Sequence, residues 1–154
     1  MQYLAKSNQL AGKIIEGIQA WQHEYASEDG LILNRNLPFQ LPGGQVHRVD
    51  AGWIGYHGNE TGQPITANQP PVICPAFVVN FSSPEPRELE AAQVDMTRFR
   101  DSGCALGWLI EPENEQVLIY QPHEPVHQVA TFDYYLDGRS VLKGFEFPLK
   151  KLRL

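Results

Sequence analysis

Cysteine is scarce in this chain. Cys74 and Cys104 are its only two, each alone in an apolar stretch, with no CxxC pair and no histidine nearby at ligand spacing. That pattern points to two buried thiols rather than to a metal or redox centre. Long apolar runs are also missing, so no membrane span is expected. The opening residues form no leader of the basic-then-apolar kind, because Lys6, Ser7 and Asn8 interrupt them, and a cytoplasmic location is expected. Basic residues are in deficit: 12 Lys and Arg stand against 18 Asp and Glu, a net charge of −6. Such a balance offers no global attraction to phosphate and counts against tight DNA binding. It does not exclude phosphodiester chemistry, because a bound metal ion supplies positive charge whatever the net charge of the protein.

What is present is enough for one core. A chain of 154 residues, 42% hydrophobic, is too apolar for disorder and of a size that folds without a metal or disulfide, so residues 1–154 are expected to form a single domain. Leu10, Ile14, Ile15, Ile18 and Trp21 recur at three- and four-residue spacing, which predicts an amphipathic helix from Asn8 to Tyr25. Leu31 to Leu33 and Pro38 to Leu41 read as short strands. Pro42-Gly43-Gly44 is a turn that returns the chain as a strand from Val46 to Tyr56, with Asp50 in its middle. Gly55 to Pro71, rich in Gly, Asn, Thr, Gln and Pro, has no periodicity and reads as a mobile surface loop.

Val72 to Phe81 is nearly continuously apolar, as a central strand covered on both faces would be. Ser82-Ser83-Pro84-Glu85 then starts a helix running to about Ser102, with Leu89, Ala92, Met96 and Phe99 as its buried stripe and Gly103 as its stop. Ala105 to Glu111 and Val117 to Gln121 predict an antiparallel pair around the Pro112-Glu113-Asn114-Glu115 turn. Val126 to Phe132 and Ser140 to Leu149 add edge strands, with Asp137-Gly138 as the turn between them. Together these elements predict an α/β fold, a mixed β-sheet flanked by helices.

Four segments, in order, carry a resemblance: Arg48-Val49-Asp50-Ala51-Gly52-Trp53-Ile54, Cys74 to Pro84, Gly103 to Pro112, and Val141-Leu142-Lys143-Gly144-Phe145-Glu146. They are similar to the Uma-two family of restriction endonuclease-like proteins, a branch of the PD-(D/E)xK nuclease superfamily, and they span most of the chain. The resemblance implies a restriction endonuclease-like fold and DNA as the partner. It implies magnesium or manganese as the cofactor of any cleavage. It also implies three site positions: an aspartate in the first motif, a glutamate ending the central strand and a lysine on the next helix. Here those positions hold Asp50, Asn80 and Asp95, so one of the three matches. The family's opening strand, which carries a glutamate and a glycine, is not found ahead of the first helix. A shortened sheet edge of that kind is free to pair with a second chain, so a homodimer is expected.

The substitutions change the chemistry on offer. A hard cation at a scissile phosphate favours two or more carboxylates. Asp50 supplies one, and Asn80 supplies a neutral carbonyl oxygen, so these two are the candidate metal ligands and metal affinity should fall. A lysine stabilises developing negative charge, and Asp95 has the opposite sign. Arg98, one helical turn on, is the candidate replacement for that charge, with Asp95 a substitute ligand. Each residue also has a plainer role: Asp50 as a polar strand residue, Asn80 and Ser82 as groups that satisfy backbone at a strand end, Asp95 and Arg98 as a solvated helix edge. His123 and His127 have zinc-pair spacing, but Pro122 and Pro125 speak against a helix there. Gly43-Gly44 lacks the lysine of a phosphate loop, and Cys104 has no evident base.

Two functions are therefore expected to compete. One is a metal-dependent endonuclease with a degenerate active site of Asp50, Asn80, Asp95 and Arg98. The other is a catalytically inactive nuclease-fold protein acting as a nucleic-acid-binding or protein-interaction module.

Overall fold

The computed structural model of the chain describes residues 2–26, 30–55 and 70–154. Helix α1 (Gln2–Trp21) starts at Gln2 rather than Asn8 and ends in a wider π-type turn, Gln22–Ala26. Its stripe of Leu10, Ile14, Ile18 and Trp21 is buried as the spacing requires. The strands follow as β1 (Gly30–Leu33), β2 (Phe39–Gln40), β3 (Val46–His47), β4 (Ala51–Gly55) and β5 (Phe77–Phe81). After helix α2 (Pro86–Asp101) come β6 (Leu106–Glu111), β7 (Gln116–Tyr120), β8 (His127–Val129), β9 (Tyr135–Asp137) and β10 (Glu146–Pro148), closed by a 3-10 turn, Leu149–Leu152.

Six strands form one mixed sheet in the order β1-β4-β5-β6-β7-β8. β5 and β6 run parallel, Phe77 opposite Leu106 and Phe81 opposite Ile110, and every other neighbour pair is antiparallel. A parallel pair needs a crossover, and α2 provides it. The hairpins β2–β3 and β9–β10 lie outside this sheet.

Alternation along the strands sorts the core into two layers. Phe77, Val79, Phe81, Leu106, Trp108 and Ile110 pack with α1 and with Phe145, Phe147, Leu149 and Leu152 from the end of the chain. Val78 and Leu109 face the other way, onto Met96 and Phe99 of α2 and Phe39 of the β2–β3 hairpin. Trp108, fully buried, meets Phe77 edge-on at 4.7 Å and stacks on Phe145 at 6.0 Å; such ring pairs add about 0.5–1.5 kcal/mol each beyond the area they bury. Gly17 lets the aromatic layer approach α1, since a Cβ there would sit 3.3 Å from the Phe145 ring. Lys13 Nζ donates to the Lys151 carbonyl at 2.8 Å across the same contact.

The predicted strand from Val46 to Tyr56 is broken. β3 ends at His47, and Arg48, Val49 and Asp50 run outside any ladder before β4 begins. Val49, Asp50 and Ala51 are all buried, Val49 on the α2 side of the sheet and Ala51 on the α1 side; residues two apart in a regular strand share a face, so the alternation is broken at Asp50. The predicted strand from Val72 is likewise shorter. Ile73 N–H bonds the Gln40 carbonyl, Pro75 has no N–H to give, and the ladder to β4 and β6 starts only at Phe77. The predicted loop lies, over residues 56–69, outside the described residues. Near the end of the chain, β9 is an additional strand, and Asp137-Gly138 opens the connection from β9 to β10, where Gly138 N–H bonds the Phe145 carbonyl at 2.8 Å.

Helix α2 begins two positions later than a cap at Ser83 would place it. Glu85 is the capping residue, its carboxylate accepting from the Glu88 N–H at 2.9 Å, and Pro86 takes the first helical position. Gly103, with φ of 108°, ends the helix as expected. No helix among the described residues is long and apolar enough to cross a membrane.

Candidate active site

The C-terminal end of β5 organises the site. Asn80 alternates with the buried Val79 and Phe81 and so points toward α2, where its Nδ2 lies 3.8 Å from Met96 Sδ. β4 pairs with β5 so that Ala51 stands opposite Val79, which brings the residue before β4, Asp50, beside Asn80. The Asp50 N–H, absent from any ladder, donates to Asn80 Oδ1 at 3.1 Å.

The Asp50 carboxylate is buried, with 1% of its side chain exposed. Oδ2 accepts from the Phe81 N–H at 2.8 Å, and Oδ1 accepts from Arg35 Nε in an ion pair. Arg35 comes from the turn between β1 and β2. That turn is set by Asn34, whose side chain accepts from the Asn36 N–H at 2.8 Å, and Arg48 Nη1 donates to the Arg35 carbonyl at 2.7 Å. A buried carboxylate needs a counter-charge and hydrogen bonds to both oxygens, and here it has them.

Asp95 and Arg98 form a second cluster on the exposed flank of α2. They are paired at 3.9 Å and both about half exposed, and Arg98 Nη1 also donates to Gln45 Oε1 on the β2–β3 hairpin at 2.7 Å. His47 stands beside them. Its ring is edge-on to Phe99 at 5.1 Å, and its Nε2 is buried without a hydrogen-bond partner. Burial holds its pKa below the ordinary histidine value; the Asp95 charge opposes that shift and the Arg98 charge adds to it. A cavity of about 260 Å³ opens here, lined by Gln45, His47, Arg98 and Ser102 and the Pro42-Gly43-Gly44 turn.

Of the four candidate residues, then, the structure joins Asp50 to Asn80 and Asp95 to Arg98. No hydrogen bond or ion pair among the described residues links the two pairs. Arg35 and His47 were not singled out from the sequence. Nothing local marks Arg35, which sits 15 positions before its partner in a polar turn; for His47 the one available signal was its place beside the Gly43-Gly44 turn.

The donor set is a poor fit to magnesium or manganese. Such ions favour several carboxylates with free lone pairs. Asp50 is a single carboxylate whose oxygens already serve two N–H donors, and its neighbour Asn80 is neutral. No three His, Cys, Asp or Glu side chains converge among the described residues. Cys104, buried, has its thiol pushed up to about 12 by desolvation, and Cys74 is pushed up by the same cause, so neither offers a thiolate.

The class is thus an α/β protein with a six-stranded mixed sheet, a helix on each face, and a buried aspartate just before β4 beside the C-terminal end of β5. The chain belongs to the Uma2 family, described as "Putative restriction endonuclease", whose model matches residues 3–150. In fold it is similar to a putative nuclease belonging to DUF820 from Anabaena variabilis, solved as a crystal structure. The TM-score is 0.76 and the identity 15%, and the match covers 96% of this chain and 79% of that one. No curated protein matches the chain.

Proposed function

We propose that this member of the family is a nuclease-fold protein that engages DNA without cutting it at the Asp50 position. One observation carries the reading: the carboxylate that would hold a metal is buried and spent on Arg35 and on the Phe81 N–H, with an amide beside it where a second carboxylate would be needed. The family membership supports nucleic acid as the partner, and Arg48, which bonds the Arg35 carbonyl rather than a carboxylate, provides positive charge beside the site on a chain that is acidic overall. The PD-(D/E)xK pattern is on this reading an ancestral arrangement, with Asp50 kept and Asn80 and Asp95 at the glutamate and lysine positions.

The rival function is magnesium- or manganese-dependent cleavage, with Asp95 as a substitute ligand and Arg98 for charge stabilisation. Plasmid and single-stranded DNA incubated with the protein and either ion, beside an Asp50→Ala control, separates the two. Expected are no nicking above background by either protein and a gel-shift whose affinity falls as salt rises. Nicking by the wild type that disappears in Asp50→Ala would establish the enzyme instead. Cleavage appearing in the Asn80→Glu, Asp95→Lys double variant would identify the site as a decayed nuclease centre.

A further inference from the structure

Asp50 is a buried charge, and the cation that neutralises it belongs to the protein. We propose that Arg35 is the resident cation of this site and covers a latent divalent-metal site, so that a metal ion and Arg35 compete for the same carboxylate. The inference rests on the reading of Asp50 as the ancestral metal position, but it requires neither DNA binding nor cleavage.

Three observations carry it. The first is placement: Arg35 is held from behind by the Asn34 turn and by Arg48 on its carbonyl, so its Nε reaches Asp50 Oδ1 from a prepared backbone. The second is access. Asp50 is 1% exposed whereas the Arg35 side chain is 46% exposed, so the ion pair meets water through its arginine, and shortening that side chain is expected to open a path to Asp50. The third is charge. Asp50 with Arg35 sums to zero, and a divalent ion added to that pair leaves two uncompensated positive charges in a largely desolvated place. Without Arg35 the sum falls to one, and a carboxylate in place of Asn80 brings it back to zero. Asn80 Oδ1, already adjacent through the Asp50 N–H, marks where that second ligand would come from.

Manganese alone is the probe, with free Mn2+ followed by its paramagnetic resonance signal against metal-stripped protein. Wild type and Asp50→Asn are expected to titrate identically, with no site that depends on Asp50. The Arg35→Gln, Asn80→Glu double variant is expected to take up one ion per chain. Its affinity should be on the order of tenfold or more above that of Asn80→Glu alone, the scale of removing one like charge at contact distance near a protein surface. A further Asp50→Asn change should abolish that uptake. Asp50-dependent manganese binding by the wild type, with Arg35 in place, overturns the proposal. So does a folded double variant that binds no metal. If the double variant does not fold, the Arg35 Nε–H resonance of the wild type decides. A protected signal unmoved by magnesium supports the proposal, and one that averages with the other arginines or vanishes on adding magnesium refutes it. DNA cleavage by the wild type sinks the functional reading through a different assay, so the two failures are distinguishable.

Discussion

Removing Arg35 should destabilise the protein more than removing Asp50 does, although both changes break the same ion pair. In Arg35→Ala the carboxylate stays buried without its cation; stranding one partner of a buried pair costs about 3–5 kcal/mol. Because Arg35 is half exposed, water enters in its place and brings the cost below that range, to about 2–3 kcal/mol. In Asp50→Ala the guanidinium simply turns to solvent, and the main loss is the acceptor for the buried Phe81 N–H, about 1–3 kcal/mol. Asp50→Asn keeps an acceptor oxygen there and should cost about 1 kcal/mol. The double change Arg35→Ala, Asp50→Ala should lie close to Asp50→Ala alone, a coupling of about 2 kcal/mol between two residues in contact. Urea unfolding of the four variants measures these differences, and in thermal melts each kcal/mol should appear as roughly 2–4 °C for a chain of this size. Strict additivity, or an Arg35→Ala loss below about 0.5 kcal/mol, would refute the description of Asp50 as a carboxylate sustained by Arg35.

Two other perturbations test the frame around the site. Gly52→Ala places a Cβ 2.7 Å from the Phe77 carbonyl oxygen, forcing β4 from β5; overpacking of this kind costs about 1–3 kcal/mol, read in urea, and the same change should loosen the contact between Asp50 and Asn80. For His47, burial favours the neutral ring, so the unfolded chain takes up the proton first, near its ordinary value of about 6.5. Stability should therefore be complete above that pH and fall as pH drops through it, and His47→Phe should flatten this part of a stability-against-pH curve.

The mixed sheet and the two helices were legible because their signals are repetitive, whereas the strand order β1-β4-β5-β6-β7-β8 was not. Helix α1 announces itself through Leu10, Ile14 and Ile18, and the β6–β7 pair through two apolar runs around a four-residue turn. Legibility fails where one residue overrules a pattern. Pro75 sits in an apolar stretch that otherwise reads as strand, and its missing N–H delays β5 to Phe77. Asp50 was found as a residue but misplaced as mid-strand, because alternation cannot foresee that its N–H would go to a side chain, Asn80 Oδ1, instead of to a neighbouring strand. The pairing with Arg35 was illegible for a related reason: it is tertiary, made by a turn whose residues have no periodicity. Asp95 and Arg98 were legible as neighbours one helical turn apart, and the structure makes them an ion pair, but spacing along one helix says nothing about which strand end lies beneath it.

The contact between Lys13 and the Lys151 carbonyl joins positions 138 residues apart, and Phe145 and Leu152 complete the layer over α1. Helix α1 is thus a seam between distant parts of the sequence: one side of its buried stripe lies on Ala51, Phe77 and Val79 of the sheet, and the other is covered by Phe145, Phe147 and Leu152. Contacts that close so long a loop form slowly, so the Phe145 side of the stripe is expected to be covered after the sheet side, and until then it is apolar surface open to a chaperone.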